Sequence, residues 1–183
     1  TTSTGLDAVE ASLLTFMREE EKLARDVYLT LASLYPNQDV FNTIATTSEQ
    51  THTDTMRDKL AQFDLPDPNP DANDLPASIG VFLGPEWGWY FTEKFEALTS
   101  QGGTSELAAL YVGAFIEELD MHDIVVCPQV MIDAGYPTPC ALEYTDESPL
   151  INAYRSLVDG SESHLRAYVG QIENLGIVYE AQY

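Results

Sequence analysis

The chain has 183 residues, with 8 Lys and Arg against 30 Asp and Glu and a formal net charge of −22. Charged residues make up only 21%, so the imbalance comes from scarce Lys and Arg. A nucleic-acid binder working through a basic patch is excluded, because the phosphate backbone would be repelled, and binding to anionic lipid surfaces is disfavoured for the same reason. Hydrophobic residues are 44%, too many for a disordered acidic tail.

The length suits a single domain spanning 1–183 with a proper core. No stretch approaches the roughly 18 apolar residues of a membrane span, so no membrane insertion is expected. The opening Thr1-Thr2-Ser3-Thr4 reads as the start of a trimmed or processed chain. Cys127 and Cys140 lie in a Pro-rich segment. They either close a loop disulfide, which favours an exported protein, or are two buried thiols.

Helical periodicity appears in four long segments, and no segment alternates as a strand does. The first runs from about Leu6 to Tyr35, with Leu14, Met17, Glu21, Ala24 and Tyr28 on one stripe. Pro36 ends it. The second runs from Asp39 to about Phe63, with Phe41, Ile44, Ala45, Met56 and Leu60 on its apolar side. A breaker-rich connection follows from Leu65 to Pro85. A short aromatic helix from about Trp87 to Leu98 is expected to cap the core. Thr104 or Ser105 can N-cap a third long helix reaching about Val126. Cys127 to Pro149 reads as a structured loop. Ser148-Pro149 makes an N-cap/N1 pair for a fourth helix, which lasts to about Leu175 and stops at Gly176. The fold class is all-α, a four-helix bundle with a long crossover.

Most acidic residues should be solvated, and Arg18-Glu19-Glu20-Glu21-Lys22 looks at first like a wet helix face. Glu21 nevertheless lies on the stripe that should be buried, where a carboxylate persists only when paired or bound to a metal. On the second helix Glu49-x-x-His52 places a carboxylate and an imidazole on one face, where both can hold one cation. On the third helix, Glu21-x3-Arg25-Asp26 corresponds to Glu118-x3-His122-Asp123, aligning Glu118 with Glu21. Its neighbour Glu117 shares a stripe with Leu110, Ala114, Met121 and Ile124, so either glutamate can point inward. On the fourth helix His164 takes the place of His52, and Ser161 that of Glu49.

The pattern Glu21-x2-Ala24-x3-Tyr28 followed by Glu49-x-x-His52 resembles the first half of a rubrerythrin/ferritin-type carboxylate bundle. The stretches Met17–Tyr28, Gly113–Asp120 and Gly160–Tyr168 more closely resemble a ferritin-like group catalogued as domain of unknown function 2202. The resemblance implies a ferritin-like bundle with Glu21, Glu49, His52, Glu118 and His164 as metal ligands. Implied cofactors are iron, with room for two ions, or manganese, acting with oxygen or peroxide on Fe(II) or a small reductant. Ser161 stands where that pattern carries a glutamate, so either Glu117, Asp120 or Glu162 supplies the missing anion or one metal is weakly held. Tyr28, Tyr111, Tyr154 and Tyr168 are expected to line the site. Metal storage without turnover and a metal-free structural bundle are the competing readings, and an extra apolar face is compatible with a homodimer.

Overall fold

A computed structural model describes residues 5–183; Thr1 to Thr4, on which the expectation of a processed chain rests, lie outside the described residues. The elements, in order, are α1 (Ala8–Leu34), α2 (Asp39–Thr43), a π-helical turn π1 (Ile44–Glu49), α3 (Gln50–Gln62), α4 (Gly88–Gly102), α5 (Glu106–Val125), α6 (Gln129–Asp133) and α7 (Ser148–Asn174). The fold is all-α, and no strand occurs among the described residues. α1, the continuous α2–π1–α3 helix, α5 and α7 form a four-helix bundle. α5 packs along α7, and α1 along π1 and α3. No helix among the described residues is long and apolar enough to cross a membrane.

Local chemistry sets the helix ends. Asp7 accepts hydrogen bonds from the amides of Val9 and Glu10 (2.8 and 2.9 Å), while the Glu10 carboxylate accepts from the Asp7 amide (3.0 Å). This reciprocal box satisfies amide donors that a helix start leaves unpaired. Ser105 caps α5 through the Ala108 amide (3.1 Å). α7 departs from expectation: its N-cap is Glu147, without a side-chain cap, and Ser148-Pro149 form the first helical positions. Gly176 takes a φ of +79°, the left-handed conformation that ends helices.

The wide turn π1 follows from its own side chains. Thr46 donates to the Asn42 carbonyl (2.8 Å), Thr47 to that of Thr43 (2.5 Å) and Thr51 to that of Thr47 (2.7 Å). Hydroxyls that bond back one turn compete with the backbone ladder and loosen it. Glu49 is the last residue of this turn, and π-bulges concentrate at functional sites.

α4 is the aromatic helix. Trp87 and Phe91 are buried, with ring centroids 5.7 and 4.8 Å from that of Phe16, and Phe82 lies 5.8 Å from Phe91. Rings in such a cluster contribute about 1.5–3 kcal/mol each by burial. Cys127 and Cys140 form a disulfide, tying the end of α5 to the last crossover.

The main departure concerns α1. Arg18, Glu19, Glu20, Glu21, Lys22, Arg25 and Asp26 are all buried, so the run that resembles a wet face is enclosed. The Pro-rich connection 63–87 covers it, held by those charges. Arg18 pairs with Asp67 (2.9 Å) and donates to the carbonyls of Thr53 (3.0 Å) and Asn69 (3.2 Å). Arg25 donates to the Ala72 carbonyl and Lys22 to the Ser78 carbonyl (both 2.8 Å). Glu19 accepts from Asn69 (3.1 Å) and the Gly84 amide (3.2 Å). Asp26 receives Lys22, Arg25 (2.8 Å) and the Gly80 amide (3.0 Å). Replacing Asp26 by Ala leaves two buried cations unmatched. We expect a loss of about 3–5 kcal/mol in urea unfolding, with Asp26→Asn also destabilising because it restores no charge.

Candidate metal centre

Four helices converge on one buried cluster. α1 supplies Glu21, the π1–α3 junction supplies Glu49 and His52, α5 supplies Glu117, and α7 supplies His164. The three glutamates are each 2% exposed, His164 6% and His52 9%. His52 Nδ1 lies 3.2 Å from Glu21 Oε2 and 3.6 Å from Glu49 Oε2. His164 Nδ1 lies 2.8 Å from Glu49 Oε1 and 3.4 Å from Glu117 Oε1. Two sets of three ligand atoms result, Glu21/Glu49/His52 and Glu49/Glu117/His164, each within 4.8 Å of one another. Glu49 belongs to both, and the two imidazole centroids are 5.6 Å apart.

These nitrogen–oxygen approaches are not aligned hydrogen bonds: Nδ1 of both histidines and Oε1 of Glu21 are buried without a hydrogen-bond partner. Atoms bound about 2.1 Å from one ion, at right angles to each other, stand about 3 Å apart, so the spacing fits shared metal ligands better than a satisfied polar core. Among the described residues, no Lys or Arg forms an ion pair with Glu21, Glu49 or Glu117.

Neighbouring residues shape the cluster. The Tyr28 hydroxyl donates to Glu117 Oε1 at 2.6 Å, and its ring lies 5.3 Å from that of Tyr168. Gly160 leaves room for His52: a Cβ there would stand 2.4 Å from Cε1 of the imidazole. Tyr111 and Tyr154 do not join the site; Tyr111 stacks on Tyr179, and Tyr154 faces toward Glu10.

The expected residues thus come together except Glu118. Its carboxylate is half-buried on the outer side of α5, where it accepts from Tyr179 Oη (2.8 Å) and from the amides of Gln182 (2.7 Å) and Tyr183 (2.9 Å). Glu117 occupies the inner position, one step of about 100° around the helix. Of its stripe, Leu110, Ala114 and Ile124 are fully buried and Met121 is half-buried. Glu162 is exposed and pairs with Arg166 (2.8 Å). Asp120 is buried and accepts a hydrogen bond from Ser161. Sequence reasoning missed Glu20 and Asp123 altogether. Both are buried; burial and the charges of Asp123 and Asp120 push the Glu20 carboxyl well up, and Asp123 also faces His122 (3.0 Å).

Electrostatics separate the members. Burial pushes the Glu21 carboxyl up to about 7, with His52 opposing, and that of Asp123 up to about 6, with His122 opposing. Burial also raises Glu117, helped by the charge on Glu49. Glu49 goes the other way: burial is outweighed by His164 and His52, which hold it at about 2. Burial would lower both histidines, but Glu21 and Glu49 carry His52 up to about 11, and Glu117 and Glu49 carry His164 up to about 10. Without metal, therefore, protons hold the cluster together.

Fold and site together define an all-α protein with a carboxylate–histidine cluster buried in a helical bundle. The chain belongs to the family described as an uncharacterized protein domain, DUF2202, which it matches over residues 10–183. It is 41% identical over 167 residues to the uncharacterized protein MJ0754 of Methanocaldococcus jannaschii, spanning 91% of this chain and 77% of that protein. It also matches the crystal structure of the hypothetical protein MJ0754 from Methanococcus jannaschii, with a TM-score of 0.79, at 38% identity and over 97% of this chain and 87% of that one.

The raised carboxyls give the metal-free protein a defined pH dependence. Glu21 and Asp123 bind protons more tightly folded than unfolded. Their contribution is complete below the ordinary values of 4.5 and 3.8 and is lost as pH rises through about 7 and about 6. Glu49 acts oppositely, but only between 4.5 and about 2. The histidine contributions are complete below 6.5 and are lost in turn as pH rises toward about 10 and about 11. Calorimetry of chelator-treated protein should therefore show the melting temperature falling between about pH 5 and about pH 8.

Proposed function

We propose that the protein is a ferritin-like metalloprotein holding two divalent transition-metal ions, iron or manganese, between its four long helices. It acts as an oxidoreductase with oxygen or peroxide on Fe(II) or a small reductant. One observation carries this reading: two buried ligand sets share Glu49 in a cluster that no Lys or Arg neutralises. A carboxylate–imidazole set suits iron or manganese. A Glu from each of two helices with Glu-x-x-His on each of the other two is the arrangement of di-iron and di-manganese bundles, which this chain follows except for Ser161 on α7. Such ions, once bound, supply one-electron redox chemistry and open positions for a small oxidant.

The chain's own residues do the rest. Glu21 with His52 and Glu117 with His164 each complete one position, while Glu49 offers an oxygen to both. Tyr28 fixes Glu117 through its hydroxyl. The enclosed helix faces exclude bulk water, which strengthens each charge contact. The histidines must give up their protons to ligate, so metal uptake releases acid. The unpartnered nitrogens and oxygens weigh against a metal-free structural network, in which buried polar groups find partners.

Anaerobic loading with Fe(II) followed by elemental analysis tests the centre, and a later oxygen pulse tests turnover. The wild type is expected to retain about two ions per chain. His52→Ala should keep the ion on the His164 side, whereas Glu49→Ala should lose both, since it belongs to both sets. Rapid oxidation after the pulse supports redox function, and its absence leaves storage as the reading. A wild-type chain that retains neither iron nor manganese overturns the proposal.

A further inference from the structure

The two halves of the cluster differ at one place. On the α2–π1–α3 helix a glutamate precedes the histidine by three residues; on α7 that position is Ser161, which has no charge to offer. Ser161 is nonetheless 1% exposed, and its hydroxyl donates to Oδ2 of Asp120 on the facing helix α5. Asp120 lies three residues after Glu117, one turn further along the same face. It is 5% exposed, and its other oxygen, Oδ1, has no hydrogen-bond partner. Its tether Ser161 stands three residues before His164, so Asp120 lies one turn from Glu117 on α5 and is tied to the α7 residue one turn from His164. This puts it beside the Glu49/Glu117/His164 set and outside its 4.8 Å grouping. No Lys or Arg pairs with Asp120 among the described residues.

A buried carboxylate with one oxygen tethered and the other unpartnered, with no Lys or Arg paired to it among the described residues, lacks a counter-charge. We propose that Asp120 is a ligand of the centre, the fourth carboxylate, supplied by α5 in place of a glutamate on α7, and that Ser161 is its positioning residue. This rests on the metal-binding reading above. The Ser161 side chain suits that role, because it is short enough to leave space for the aspartate and holds Oδ2, so that Oδ1 alone is presented. Four carboxylates and two neutral imidazoles then balance two divalent cations. The exchange moves an anion from one helix to another without changing the charge of the site. Glu162, beside Ser161 in sequence, cannot substitute, because it is exposed and engaged with Arg166.

Equilibrium dialysis against Mn(II) alone, with electron paramagnetic resonance of the dialysed protein, tests the assignment on wild type, Asp120→Asn, Ser161→Ala and Glu49→Ala. We expect the wild type to bind about two Mn(II) and show a spin-coupled signal. Ser161→Ala should weaken binding of one ion by about 10–100-fold, the usual effect of removing an orienting partner. Asp120→Asn should weaken it further and leave an uncoupled signal. Both variants should keep wild-type helical circular dichroism, and Ser161→Ala carries the test where Asp120→Asn does not fold. If the wild type binds two ions and Asp120→Asn and Ser161→Ala bind them equally well, the role of Asp120 is overturned while the centre stands. If the wild type and Glu49→Ala both bind none, the centre itself is overturned and Asp120 with it.

Discussion

The middle of α1, from Phe16 to Tyr28, is enclosed on every side, and a charge enclosed by protein persists only where an opposite charge or a proton meets it. This constraint organises the molecule. Toward the connection 63–87, the carboxylate of Asp26 is met by Lys22 and Arg25, and Arg18 is met by Asp67. That single layer takes three of the 8 basic residues into the interior. Toward the bundle axis, Glu21 meets only His52 and further carboxylates. One face of the helix is neutralised by the chain itself, whereas the other is neutralised by protons or by cations from outside. The Pro-rich connection is therefore an integral layer, because its backbone carbonyls and Asp67 complete the first face.

How far the site can be read from sequence follows from the same geometry. Glu21, Glu49 and His52 stand out because each falls on a stripe of apolar neighbours that are buried. His164 does so because it lies in line with Tyr154, Leu157 and Tyr168, also buried, although Leu175 at the end of that line is exposed. Glu118 was the expected ligand because aligning Asp26-Val27 with Asp123-Ile124 sets Glu21 opposite it. The two aspartates do unrelated work: Asp26 holds the connection, and Asp123 faces His122. In a Glu-Glu pair one helical step decides which carboxylate faces inward, and a local alignment slipped by one residue selects the wrong one. The enclosed charges of α1 were hidden for a different reason. Amphipathic reasoning assumes that a helix keeps one face toward water, but here a non-helical segment with no periodicity of its own supplies the cover. The four long helices and the aromatic helix were legible within a few residues. The π turn was not, since it arises from threonine hydroxyls bonding back within a run that still reads as helix.

The internal repeat suggested by the sequence survives as topology and breaks as chemistry. Both helix pairs present a glutamate and, on the partner, a histidine preceded by a polar residue three positions earlier. Gly160 marks where the second pair has yielded to the first, since any side chain there would enter the volume of the His52 ring. Ser161 follows directly, and its hydroxyl reaches across to Asp120. Small residues at successive positions of α7 therefore leave the space that a histidine from one neighbour and an aspartate from another fill. A simple doubling of one helix pair would not show this compensation.

The acidity of the chain divides differently from what composition suggests. Most acidic residues were expected to be solvated; among the described residues nine of the 30 are buried, namely Glu10, Glu19, Glu20, Glu21, Asp26, Glu49, Glu117, Asp120 and Asp123. Glu10 caps a helix and Glu19 and Asp26 hold the connection. The other six lie in or beside one cluster, on three of the four long helices. Burying six carboxyls together is among the costliest arrangements a small bundle can adopt, and protons alone make it pH-sensitive where carboxyl values lie near 6 and 7. A packed apolar core would have been less costly and simpler to encode. The cost is intelligible when the cluster's counter-charges are exchangeable, because only an incomplete charge balance inside the protein can select and retain a cation from outside it.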